Sequence, residues 1–225
     1  GWNGQQIYGQ NQMGFGFGNT HGISRGIIDG QDKIWVYNWD GNDDRIGIDY
    51  EIGELMHVAL VHDDGTLYAY KNGVLVDQVN SNPTTDGGFI RIGGGTENGS
   101  AFNGHIDEVR VWSIARSAED IFYQMYLQLN GEEQGLVGYW NFNEGEGLFA
   151  YDLSDKQNHG DIIGADYSTE TFNPCEDDEI VLWSYCFSAE NTTELNLSSH
   201  QLQGQIPGNI GNLTNLTSLV LSNND

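Results

Sequence analysis

Positive charge is scarce in this chain. Its 225 residues include 8 Lys+Arg against 33 Asp+Glu, a formal net charge of -25. A surface that acidic repels phosphate, which excludes nucleic acid and anionic membrane as partners. No apolar run approaches the roughly 18 residues that a membrane span needs, so no membrane insertion is expected of this fragment. Proline is nearly missing, 3 residues against 31 glycines, which points to tight turns and not to a Pro-rich linker. Only two cysteines occur, Cys175 and Cys186, both in one short segment. Too few ligands lie nearby for zinc, and the closeness favours a local disulfide formed in an oxidising compartment. The chain begins at Gly1 without Met and stops inside what reads as a repeat. It is expected to be a piece of a larger protein, so missing targeting signals say little.

Aromatic residues are plentiful: 6 Trp, 11 Tyr and 9 Phe. Large rings suit half-buried, pleated strands. Up to about residue 112 the chain reads as short strands broken by Gly, Asn and Asp. Examples are Lys33–Tyr37, Met56–Val61 and Thr66–Tyr70. Asp63-Asp64-Gly65 and Asn72-Gly73 separate successive strands, and Asn-Gly is a favoured two-residue hairpin turn. One helix is expected after Ser117, where Ser117 and Asp120 form a capping-box pattern. Ile121, Phe122, Met125 and Leu129 recur at helical spacing, so this reads as a packing helix that closes the sandwich. Leu136–Phe142 is strand-like, Asp152–Gly160 a loop, and Asp161–Ile163 a further short strand. These pieces are too short for a second sandwich and must pair with the first.

The period then changes. Leu195-Asn196-Leu197 and Leu219-Val220-Leu221 lie 24 residues apart, each followed three residues later by a comparable position, His200 and Asn224. Leu202, Ile206, Pro207, Ile210, Leu213 and Leu216 fall between them. This is the pattern of a leucine-rich repeat, in which leucines point inward and an Asn at the bend bonds neighbouring backbones. One turn cannot cover its own apolar face, so more repeats are expected to follow.

Several segments carry a family resemblance. His57-Val58-Ala59, Asp64-Gly65 and Tyr70-Lys71-Asn72-Gly73 resemble the central hairpins of laminin-G-like domains. The run from Phe102 to Trp112, with Ile106-Asp107-Glu108-Val109-Arg110-Val111-Trp112, is similar to one of their strands, and Ser117–Ile121 to the helix that follows. The resemblance spans roughly residues 30 to 165. It implies an all-β, two-sheet antiparallel jelly-roll sandwich of the concanavalin A-like class with one short helix, of a kind used on cell surfaces to bind sugar or protein, often with calcium. Ile206-Pro207 and Ile210–Leu216 resemble the extracellular, plant-type leucine-rich repeat, with His200 departing from the usual Asn. The expected layout is a sandwich over 1–170, a cysteine-containing linker or N-terminal cap over 171–190, and the beginning of a repeat solenoid over 191–225.

Candidate sites follow from chemistry and from that resemblance. Asp40, Asn42 and Asp44 place oxygen side chains at alternate positions, as calcium loops do, although Arg45 stands where an EF-hand needs Gly. The alternative is a polar hairpin turn. Pentraxins are similar sandwiches with calcium ligands near the position of Glu97 and Asn98 here, and Asp32 would correspond to their partner acid. The alternative there is a plain glycine-rich loop. Asp107 and Glu108 are adjacent, so on a strand they face opposite sides and cannot act together in one cleft. Their expected roles are a partner for Arg110 or bonds to loop backbone. His57, His62, His105, His159 and His200 show no metal-ligand spacing. Trp35, Tyr37 and Trp39 could stack on a sugar, with core packing the competing role. Glycosylation sequons occur at Asn191, Asn196, Asn212 and Asn215, most of them built into the repeat spacing.

No catalytic residues are expected. The reading is a non-catalytic extracellular or cell-surface adhesion module for a glycan or protein ligand, with Ca2+ as its only candidate cofactor. One alternative is a spacer or cap for a ligand-binding repeat array. Another is a glycoside hydrolase, which would need two carboxylates on one face of a strand. His105 stands where the first acid of such a pair would be.

Overall fold

Turn chemistry organises the first half of the chain. A computed structural model describes residues 4–11, 21–39, 43–82, 89–94, 101–169, 175, 178–183, 185–200, 202 and 206–224. The opening strands are β1 (Gly4–Asn11), β2 (His21–Ile28), β3 (Gln31–Trp39) and β4 (Asp43–Ile48). They are followed by β5 (Val58–Asp63), β6 (Thr66–Lys71), β7 (Val74–Asn80) and β8 (Phe89–Ile92). Three connections are two-residue turns with both central residues at positive φ: Asp29-Gly30 (52°, 79°), Asp64-Gly65 (41°, 72°) and Asn72-Gly73 (49°, 76°). This conformation matches the right-handed twist of the flanking strands, which is why Asp or Asn followed by Gly marks each site.

The strands form two antiparallel sheets, one in the order β4-β3-β2-β1-β8 and one in the order β5-β6-β7. Alternation decides which side chains meet. Ile23, Ile34, Val36, Ile46 and Ile48 of the larger sheet bury against Leu67 and Ala69 of the smaller, with Tyr50, Met56, Val58, Leu60 and Val79 packed around them. The architecture is therefore mostly β, with antiparallel sheets layered over one apolar core and a single short α-helix among the described residues. Two smaller antiparallel pairs follow. β9 (Val109–Trp112) pairs with β10 (Leu136–Trp140), and β11 (Phe149–Ala150) with β12 (Gly160–Asp161).

The chain divides into two units, residues 1–118 with 129–168 and residues 119–128 with 169–225. In the second, β13 (Glu179–Leu182) and β14 (Tyr185–Ser188) form an antiparallel hairpin, and a disulfide joins Cys175 to Cys186 with Sγ–Sγ 2.03 Å. β15 (Glu194–Asn196) and β16 (Ser218–Val220) pair in parallel, Leu195 opposite Leu219, a register of 24 residues. Leu182, Trp183, Leu195, Leu197, Leu202 and Leu213 form this unit's core. Asn224 fills the bend: its Nδ2 donates to the Leu197 and Leu221 carbonyls, and its Oδ1 accepts the His200 and Leu202 N–H groups.

The helix departs from expectation. α1 (Ala118–Gln124) ends before Met125 and Leu129, although the Met125 N–H still reaches the Ile121 carbonyl. Tyr123 packs on the second unit's core, and the Phe122 and Tyr123 rings lie 5.4 and 6.1 Å from that of Tyr185. Helical spacing announces an apolar face that needs cover, but it does not name the covering element.

Candidate ligand-binding site

Of the two expected cation sites, the described residues include only Asp32 of one and Asp44 of the other. Asp40, Asn42, Glu97 and Asn98 lie outside them. Asp32 sits just after the β2–β3 turn, where Arg25 holds its carboxylate through bonds of 3.3 and 2.8 Å. That hydrogen bond keeps the Asp32 carboxyl below its ordinary range. A calcium ion there would have to displace a guanidinium. Asp44 lies opposite Asn38, six residues along β3 from Asp32, hence about 20 Å away. The one grouping of potential ligand atoms among the described residues is Cys175, Glu179 and Cys186, and its sulfurs are spent in the disulfide.

The acids beside β9 are engaged unequally. Neither Asp107 nor Glu108 is on the strand, which begins at Val109, so strand alternation does not govern them. Glu108 takes φ +52°, and its carboxylate accepts Arg110 Nη2 at 2.7 Å and the Tyr139 hydroxyl at 2.9 and 3.1 Å. Asp107 Oδ1 accepts the Glu108 N–H, while burial pushes its carboxyl above the ordinary range. Arg110 also lies over the Tyr139 ring at 5.6 Å. His57 feels the same charge. Burial, and then the Arg110 guanidinium, depress its ring to about 4, and its Nδ1 is buried without a partner. The knot occupies both Glu108 oxygens with the Arg110 guanidinium and the Tyr139 hydroxyl.

Asp152, buried beneath β10, plays a structural part. Burial opposes its charge, but N–H groups of Tyr139, Ser154 and Asn158 at 2.8–2.9 Å outweigh burial and hold the carboxyl below its usual range.

The rings singled out for stacking are poorly placed. Trp35 is buried, its Nε1–H bonded to the Gly26 carbonyl and its indole lying so close over Gly47 that a Cβ there would meet the ring at 2.9 Å. Tyr37 is half-buried, and the Trp39 side chain lies outside the described residues.

A different row is open. Along Phe149-Ala150-Tyr151-Asp152-Leu153-Ser154 the first, third and fifth residues are 43–52% exposed, and the second, fourth and sixth are 3–7% exposed. The apolar members point out and the small or polar ones in. Hydrogen bonds fix this inverted segment. The Tyr151 N–H donates to Glu144 Oε1 at 2.8 Å, and the Tyr167 hydroxyl to the Phe149 carbonyl at 2.8 Å. The Tyr151 ring meets His159 edge-on at 5.2 Å. Burial, then the Glu144 carboxylate and Tyr151, push the Tyr167 phenol up to about 12. Glu144 Oε2 is buried with no hydrogen-bond partner. The alternation itself is visible in the sequence, but reading it requires knowing that Asp152 faces inward.

Two stacked antiparallel sheets with short, glycine-marked hairpins define a lectin-type sandwich. The family described as the concanavalin A-like lectin/glucanases superfamily (Laminin_G_3) matches residues 2–122, and the chain belongs to it. Among solved structures, a candidate carbohydrate-binding protein from Bacteroides ovatus is similar with a TM-score of 0.55 and 24% identity, over 70% of this chain and 47% of that one. The chain thus spans about half the length of that protein, and the likeness concerns the fold. An S-layer domain-containing protein from Clostridium thermocellum matches at 23% identity over 53% of this chain and 62% of that one, with a TM-score of 0.29, too low to support an argument.

Proposed function

We propose that the chain is a non-catalytic binding module of the cell surface or extracellular space, with a glycan as the ligand of its sandwich. The observation that carries this reading is the engagement of the central acids: Glu108 is held by Arg110 and Tyr139, and Asp107 by backbone. Glycosidic cleavage needs two carboxylates free to face one bond. The Bacteroides ovatus relative, described as carbohydrate-binding, supports the ligand class. The disulfide fits an oxidising compartment. Calcium enters as an assistant at the loops of Asp32, Glu97 and Asn98 or of Asp40, Asn42 and Asp44. A panel of glycans and a protein pull-down, run with calcium and with chelator, test the reading. A saturable ligand supports it, silence under every condition contradicts it, and signal only with calcium assigns the loops their role.

A second reading takes residues 191–225 as the start of a leucine-rich-repeat array that binds ligand while the sandwich serves as spacer or cap. The parallel 24-residue register and the four bonds of Asn224 support it. Hydrogen exchange separates the two readings: ligand protection confined to residues 194–200 and 218–224 favours the array, and protection within 1–168 favours the sandwich.

A further inference from the structure

We infer that the outward row of Phe149, Tyr151 and Leu153 is a stacking subsite for a neutral glycan. The inference rests on the carbohydrate-binding reading above and deepens it by naming the surface. The row lies outside residues 2–122, which carry the family match.

Burial alone would turn this segment over. Rotating it would hide Phe149, Tyr151 and Leu153 and expose Ala150, Asp152 and Ser154, as the hydrophobic effect favours. It is held the other way by Asp152, whose carboxylate receives the Tyr139 N–H of β10 and the N–H groups of Ser154 and Asn158. Glu144 and Tyr167 bind the backbone of Tyr151 and Phe149 directly, and His159 braces the Tyr151 ring. Exposed apolar groups that the fold holds so firmly mark a binding surface. Such rings are already ordered, so little freedom is lost when a ligand arrives.

Chemistry selects the occupant. Phe149 and Tyr151, both about half exposed where β11 ends, offer rings to the C–H faces of sugar units. The surroundings are acidic: Glu146 is exposed, and Asp161 stands opposite Phe149 in the β11–β12 register. Lys156 is already bonded to Asp155. Carboxylates accept hydroxyl protons and repel polyanions, which favours an uncharged polyol.

The test uses the intact chain against immobilised neutral β-glucan, xylan, mannan and galactan oligosaccharides, with calcium and with chelator. The expected result is binding of at least one in both conditions, weakened roughly tenfold or more by Phe149→Ala and by Tyr151→Ala and retained by Tyr151→Phe. Saturation transfer from aromatic protons to sugar C–H protons gives a readout that needs no truncation, and it is expected with the unmodified chain and the bound oligosaccharide. Undiminished binding by Tyr151→Ala, or no transfer from the rings, overturns the subsite and leaves the module reading standing. Failure of the unmodified chain to bind any glycan, including the case in which only a protein is captured through these residues, overturns both.

Discussion

The two units solve the same problem, hiding leucines, isoleucines and rings, by opposite means. In residues 1–118 with 129–168, neighbours in the sequence become neighbours in a sheet through turns such as Asn72-Gly73. In residues 169–225, strands 24 residues apart pair in parallel, and Asn224 reaches back to bond backbone of residues 197–202. The first solution is local, and its instructions are dipeptides. The second joins residues distant in the chain, and its instruction is a spacing. In the first unit a segment such as 149–154 can lie inverted because the buried Asp152 carboxylate anchors it.

Substitutions that strike one unit sharpen this contrast. The largest effect is expected from Leu67→Ala. Leu67 is fully buried between the two sheets, and its loss should cost the sandwich about 3–4 kcal/mol in a denaturant titration. Replacing Cys175 and Cys186 by Ser removes a cross-link spanning 11 residues, and chain entropy puts the loss near 3 kcal/mol. Hydrogen exchange should show faster opening of β13–β15 with the amides of β2–β6 unchanged, and equal acceleration in both would erase the distinction. Asn224→Ala strands two N–H and two carbonyl groups, for a loss of about 2 kcal/mol seen in the same exchange experiment.

A pH series isolates the sandwich. His57, depressed to about 4 in the folded chain, binds fewer protons there than in the unfolded chain between pH 6.5 and 4. Its neutral form is the one the fold accepts, so stability is complete above pH 6.5 and falls as pH drops toward 4. After discounting for partial exposure, the loss is on the order of 2 kcal/mol. His57→Gln should flatten that part of the profile, as read by unfolding midpoints at successive pH values. The smallest effect, about 1 kcal/mol, is expected of Gly73→Ala, where φ is +76° in the β6–β7 turn. It should lower the thermal midpoint slightly and leave the 24-residue register intact.

What could be read in advance follows the same division. Asp64-Gly65 and Asn72-Gly73 announced hairpins because few residues tolerate positive φ, and the 24-residue spacing of Leu195 and Leu219 is the register in which they pair. α1 was visible, but its companions were not: the spacing of Ile121, Phe122 and Met125 shows a face and leaves its partner open, and Tyr185 lies far along the chain. Asp107 and Glu108 looked like opposite faces of a strand, whereas the strand begins at Val109 and Glu108 is left-handed; the roles expected of them, a bond to backbone and a partner for Arg110, are the ones found. Most obscure was the row at Phe149, Tyr151 and Leu153. A two-residue period is symmetric with respect to inside and outside, and only the bonds to Asp152 choose between them.

The central claim is that this sandwich holds a glycan without cutting it. It is tested most directly by incubating the intact chain with the neutral oligosaccharide panel and measuring bound ligand and newly formed reducing ends in the same samples. The account predicts saturable binding with reducing ends at the level of a protein-free control. Reducing ends that accumulate with time and vanish in Asp107→Asn would contradict it.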